Sequence, residues 1–225
     1  MKKLPDHIPL FPLTGAILLP KGHLPLTIFE PRYLEMVEEA HDGNMMIGMI
    51  QPQRTSITSH PKNNDLFGTA DHNRDLYTVG CAGLITSMEK NQDGRYLIVL
   101  TGVRRFEVIE ELTIEKSFRE AQVNYTNYSN DGDEQFEQNS TIREQFIIKL
   151  DQYLQALDLT IDLQAFDHME DEELVNTLAM SCPFEAPEKQ LIIEVHTLEQ
   201  RARLMMKIMD FNLNKHDISS QNKIH

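Results

Sequence analysis

"HLPLTIFEPRYLEMVEEAHDG", residues 23–43, changes its period at Glu30. Up to that point Leu24, Leu26 and Ile28 recur at every second position, the spacing of a strand with one covered face. From Pro31 onward Leu34, Val37 and Ala40 recur at every third, with Glu35, Glu38 and Glu39 on the other side, as on an amphipathic helix. Pro31 suits a first helical turn, because its φ is already helical and its missing N–H is not needed there. Glu30 lies where a carboxylate meets the positive end of the helix dipole. Gly43 is placed to close the helix in a left-handed turn. The spacing therefore predicts a strand-to-helix corner with a helix over 31–42. Glu30, Arg32 and Tyr33 read as the fittings of that corner, with Arg32, Arg105 or both expected to pair with carboxylates such as Glu30.

On either side of the corner, up to about residue 126, short apolar segments alternate and are punctuated by Gly and Pro. Strands are expected in "HIPLFPL", "GAILLP", 45–51, 77–90, 95–102, 104–112 and 118–125. "NQDG", 91–94, reads as a hairpin turn, and 51–68 as a long polar surface loop. Beyond Asp131 the apolar spacing becomes three and four. "NYSNDGDEQ", 127–135, has a linker's composition, and four helices follow. The first opens at a Thr141–Glu144 capping box and carries Phe146, Ile147, Leu150, Tyr153, Leu154 and Leu157. The second carries Leu174, Val175, Leu178 and Ala179. The third starts at Pro187 and buries Leu191, Ile192 and Val195. The fourth opens at a Thr197–Gln200 box and buries Ala202, Met205, Ile208 and Met209. The expected division is a strand-rich unit over 1–126, a helical unit over 127–213 and a flexible tail over 214–225, with no internal repeat.

The 225 residues carry a formal charge of −14, with 13 basic against 16 acidic residues up to Thr126 and 8 against 19 beyond it. Such a surface repels a phosphate backbone, so no nucleic-acid partner is expected. No apolar run reaches the ~20 residues that span a bilayer. Pro5, Asp6, Pro9 and Pro12 break up the N-terminal stretch before a signal-type apolar segment forms. Cys81 and Cys182, far apart and outside any CxxC, suit a reducing compartment, and a cytoplasmic protein is expected.

Catalytic, cofactor-binding and metal-binding residues are all expected to be none. Cys81 is the sharpest nucleophile candidate, yet its segment reads as a strand, where free cysteine is usually buried. His60, Asp71, His72 and Asp75 gather in one polar region, and loop polarity accounts for them better than metal binding does. Arg95, Arg104 and Arg105 suggest a basic patch, but strand neighbours 104 and 105 point to opposite faces. Met45, Met46 and Met49, with Met205, Met206 and Met209, would offer adaptable surface if exposed; core packing is the more economical reading.

"IPLFPLTGAILLPKGHLPLTIFEPRYLEMV", "LYTVGCAGLI", "DGRYLIVLTGVRRFEV" and "LVNTLAMSCPFEAPEKQLIIEVHTLEQRARLMMKIMD", in that order, resemble the N-terminal substrate-binding domain of the ATP-dependent Lon protease over about residues 7–211. Cys81 departs from the pattern, standing where the family usually has Thr. The resemblance implies an α+β fold: a six-stranded PUA-like pseudo-barrel, partly open, followed by a C-terminal helical bundle. It also implies that Glu30, Pro31, Arg32, Tyr33, Arg105 and Phe106 are structural family-motif residues. No Gly is followed by Lys anywhere, so a Walker A loop cannot be written. The expected function is a stand-alone, non-catalytic module that binds unfolded or exposed apolar polypeptide segments through a groove between barrel and bundle, working beside a protease or chaperone system. A PUA-like binder of a small ligand or RNA is the alternative class, its RNA form weakened by the charge.

Overall fold

The computed structural model describes residues 3–53, 75–113, 115–137, 141–160 and 162–221, with side chains as far as 215. Most of the predicted 51–68 loop lies outside the described residues, as do His60, Asp71 and His72.

Six strands make one mixed sheet: β1 (His7–Pro12), β2 (His23–Ile28), β3 (Met46–Pro52), β4 (Leu76–Lys90), β5 (Tyr96–Glu111) and β6 (Arg119–Asn124). Their order is β2-β5-β4-β3-β1-β6, and β6 returns to pair with β5, closing five strands into a ring. β2 lies beside the first half of β5. Only the β1–β3 pair is parallel. β1 tolerates Pro9 because its contact with β3 begins one residue later, at Leu10, so the missing donor interrupts no bond on that side.

Two segments read as separate strands, 95–102 and 104–112, are one 16-residue strand, β5. The gap expected at Val103 is a bulge instead: Gly102 pairs with Gly83 and Arg104 with Ala82, leaving Val103 as the extra residue. "GAILLP" is not a strand, although Ile17, Leu18 and Leu19 are buried. The β4–β5 turn is as expected, with Asn91 N–H donating to Arg95 O (2.8 Å), but only Gly94 of the Asp-Gly pair takes positive φ, at +85°.

Alternation divides the apolar residues between two cores. Ile8, Leu10, Met46, Ile50, Ala82, Phe106, Ala121 and Val123 belong to the face that the ring strands turn towards one another. Phe106 fits there because position 80 is Gly: a Cβ would lie 2.6 Å from its ring and 2.5 Å from the carbonyl oxygen of Met49. The opposite faces, with Met49, Cys81, Ile98 and Leu100, join α1 (Pro31–Asp42) and the C-terminal helices in one larger core.

At the corner α1 starts at Pro31, as the sequence predicts. Its buried face is Tyr33, Met36, Val37 and Ala40, with Leu34 only partly covered. Gly43 has φ −101°, and the left-handed residue is Met45 (φ +66°), whose N–H reaches Ala40 O. The later helices are α2 (Ile142–Ala156), α3 (Asp171–Ser181), α4 (Ala186–Glu194) and α5 (Leu198–Gln221). The Thr197–Gln200 box forms in both directions, at 3.2 Å each. The Thr141–Glu144 box does not: Thr141 Oγ accepts from the Gln145 side chain instead. α4 turns Lys189, Gln190, Ile192 and Ile193 inward and leaves Leu191 exposed, because Gln190 has partners on the strands and Lys189 donates to Met180 O at the end of α3. α5 runs past residue 213 to Gln221.

Candidate binding site

One end of the ring opens into a mainly apolar cleft of about 570 Å3. Met46 of β3, Leu84 of β4 and Val103 of β5 form its wall, Leu4 and Tyr125 close one side, and Asp131 with Gly132 lies at its base. Leu84 faces Met46 across the β3–β4 ladder. The bulge at Val103 brings Arg104 into the same cleft, since an extra residue breaks the alternation that would separate neighbours. Tyr125 stands edge-on to Phe106 and donates to Pro5 O at 3.0 Å, which holds the N-terminal segment beside the opening.

Behind the base lies a buried ionic network. Arg105, fully buried, donates to both oxygens of Asp131, with Nη2 2.6 Å from Oδ1 and its own N–H 2.8 Å from Oδ2. The same guanidinium donates to the carbonyls of Ile193, Val195 and His196. It thus satisfies the C-terminal end of α4 with positive charge where the helix dipole favours it. Its Cζ lies 4.2 Å from the centroid of the Tyr128 ring, which stacks on His196. Arg201, also fully buried, donates to Asn176 (2.7 Å) and lies 3.9 Å from Glu134; Asn176 in turn donates to Pro20 O. Burial, with the nearby charge of Arg105, pushes Arg201 down to about 10. Glu172 accepts from Gly132 N–H and sits 3.6 Å from Lys21.

Carboxylate oxygens of Asp131, Glu134 and Glu172 lie within 4.8 Å of one another. Arg105 occupies both oxygens of Asp131, and Arg201 and Lys21 face the other two acids, so the chemistry is that of a balanced ion-pair network rather than a cation cage.

A second groove, about 550 Å3, runs between α2 and α5 past Ile148, Lys149, Met206 and Lys207. Its walls are largely long polar side chains, and Lys149 is paired with Asp210 at 2.7 Å.

The six residues expected to form the family motif fall in three places. Glu30 and Arg32 pair with each other at 2.7 Å, beside Pro31, and Tyr33 packs edge-on against Phe11 at 4.5 Å. Arg105 is in the ionic network, where its carboxylate is Asp131. Phe106 is inside the ring. Cys81 is fully buried with its thiol toward Ala82 O; burial drives that thiol far up, and pushes Cys182 up to about 12. Met46, Met49, Met205 and Met209 are core residues, whereas Met206 lines the second groove. Sequence reading missed Arg104's cleft and the roles of Asp131, Asn176 and Arg201. Gly102 inside a strand pattern was the available sign of a bulge; nothing in the linker-like 127–135 marks Asp131 as Arg105's partner.

The ring of strands with its following helices is the fold of a Lon N-terminal domain. It superposes on a Lon N-terminal domain protein from Xanthomonas campestris (TM-score 0.61, 17% identity, 89% of this chain and 97% of that one). It also superposes on the N-terminal domain of Lon protease from Mycobacterium avium complex (TM-score 0.60, 12% identity, 91% and 98%). A family model described as the ATP-dependent protease La (LON) substrate-binding domain matches residues 7–210, and the chain belongs to that family. Lon protease 2 of Myxococcus xanthus is 25% identical over 225 aligned positions, taking in 98% of this chain and 25% of that protein. Lon protease of Desulfosudis oleivorans is 30% identical over 103 residues, 46% of this chain and 11% of that protein. The chain thus spans a quarter or less of the length of these curated relatives.

Proposed function

We propose that this chain is a non-catalytic polypeptide-binding module, taking up unfolded or exposed apolar segments at the cleft in the end of the ring. The observation that carries the reading is the cleft itself: apolar walls, a volume within the range of known binding sites, and few polar groups. Membership of a family described as substrate-binding supports it. A non-catalytic role is supported by the thiols, both buried and held as thiols by their surroundings. Unpaired cysteines also suit the cytoplasm, and no helix among the described residues is long and apolar enough to cross a membrane. In this reading the module works beside a protease or chaperone system.

The test is binding of a reduced, alkylated, permanently unfolded polypeptide, followed by anisotropy, to the parent chain and to Leu84→Glu. A charge in the apolar wall is expected to weaken binding about tenfold or more. Equal binding by both, with the fold intact, would move the site elsewhere.

A further inference from the structure

Acidic residues outnumber basic ones 35 to 21, so a guanidinium without a carboxylate is out of place here. Arg32, Arg95, Arg105, Arg119, Arg143, Arg201 and Arg203 each have one within 4.0 Å. Among the described arginines Arg104 alone has none, and its Nε is buried without a hydrogen-bond partner. The side chain is half-buried in the apolar cleft, where the Val103 bulge has turned it. Asp131 at the base is no substitute, since Arg105 holds both its oxygens. Lys3 also lines the cleft, but it lies 3.8 Å from Asp6, so Arg104 is the cation left for a ligand.

A lone guanidinium beside Met46, Leu84 and Val103 calls for a ligand with an apolar group and a carboxylate close together. The last residue of a polypeptide has that chemistry: an apolar side chain and the α-carboxylate branch from one Cα. An internal Asp or Glu carries the charge but spends its side chain on it. We infer that the cleft captures polypeptide C-termini, the final apolar side chain lying against Met46, Leu84 and Val103 and the carboxylate received by Arg104. This rests on the polypeptide-binding reading above and adds which part of the polypeptide is recognised. A charge-assisted bond shielded from water supplies the selectivity.

The probe is an N-acetylated hexapeptide of neutral polar residues ending in Leu, titrated calorimetrically into the full chain as free acid and as C-terminal amide. The acid is expected to bind about tenfold to a hundredfold more tightly. In Arg104→Gln, with its melting midpoint checked, the two should bind alike, at the amide's affinity. Decanoate, the other source of a carboxylate on an apolar body, is expected to bind more weakly than the peptide acid. Equal binding of acid and amide to the parent chain overturns the inference without any variant. So does an acid preference that survives in Arg104→Gln, or decanoate binding more tightly than the peptide. If the unfolded polypeptide of the previous test binds but acid and amide do not differ, the module reading stands and only the C-terminal recognition falls.

Discussion

Asp131 is the residue on which the buried charges depend, because it alone neutralises an Arg105 with no access to water. Asp131→Ala leaves that guanidinium uncompensated and is expected to destabilise the chain by about 3–5 kcal/mol, read by denaturant unfolding. Adding Arg105→Met should cost less than the two single changes together, since the stranded charge is then gone. Glu134 titrates against the same network, and burial raises its carboxyl above the usual range. A carboxyl raised on folding favours the folded chain at low pH, and that contribution disappears as pH climbs through the folded value. Glu134→Gln should therefore gain stability relative to the parent as pH rises above about 4, the ordinary unfolded carboxyl value, and the gain should vanish in acid; a pH-independent difference would contradict this. The two thiols should alkylate at least about a hundredfold more slowly in the folded chain than in denaturant at pH 8, measured by mass spectrometry. At this scale little beyond residue type was legible. Arg32 and Glu30 are two positions apart and their pairing could be read; Arg105 and Asp131 are 26 apart in sequence, and only the closed ring brings them together.

Elements were easier to read than their ends. The strand-to-helix corner followed from Pro31 and the change of period, because both effects are local. The two capping boxes had the same sequence signal and different outcomes. Thr197 and Gln200 bond reciprocally, while Thr141 has φ −88° and ψ 6°, outside the extended geometry that aims a cap side chain at the helix. Thr197→Ala is accordingly expected to cost about 1 kcal/mol and Thr141→Ala only a few tenths, compared by denaturation midpoint. The Glu-Lys-Gln run, 188–190, has three separate tasks on α4. Glu188 caps the helix, Lys189 donates to Met180 O, and Gln190 meets Gln51 and Val79 on the strands. Those bonds explain why Leu191, an obvious core residue by type, faces outward. In β4 the glycine at 80 is needed for Phe106, and Gly80→Ala should destabilise by about 1–3 kcal/mol through overpacking.

Across the whole molecule one apolar core is shared by strand faces and helices, with Ile98 and Leu100 in the same cluster as Phe146, Leu174 and Met205. Thermal unfolding followed by far-ultraviolet and tyrosine signals should therefore give coincident transitions; two separated midpoints would contradict a shared core. The order of elements was legible because the period changes at the right places, whereas the period alone gave eight strand segments and the count of six came from the resemblance. The closure of β6 onto β5 was not, since long-range pairing leaves no local mark in either strand. That closure bears on how the chain behaves when crowded. Among the described residues, ring closure leaves unpaired borders chiefly along β2 and at the hairpin tip of β4. β2 is six residues long and carries Pro25, and the tip carries Glu89 and Lys90. A seam that short, interrupted and charged is a poor template for strand-by-strand growth, so fibril formation should require the ring to open first.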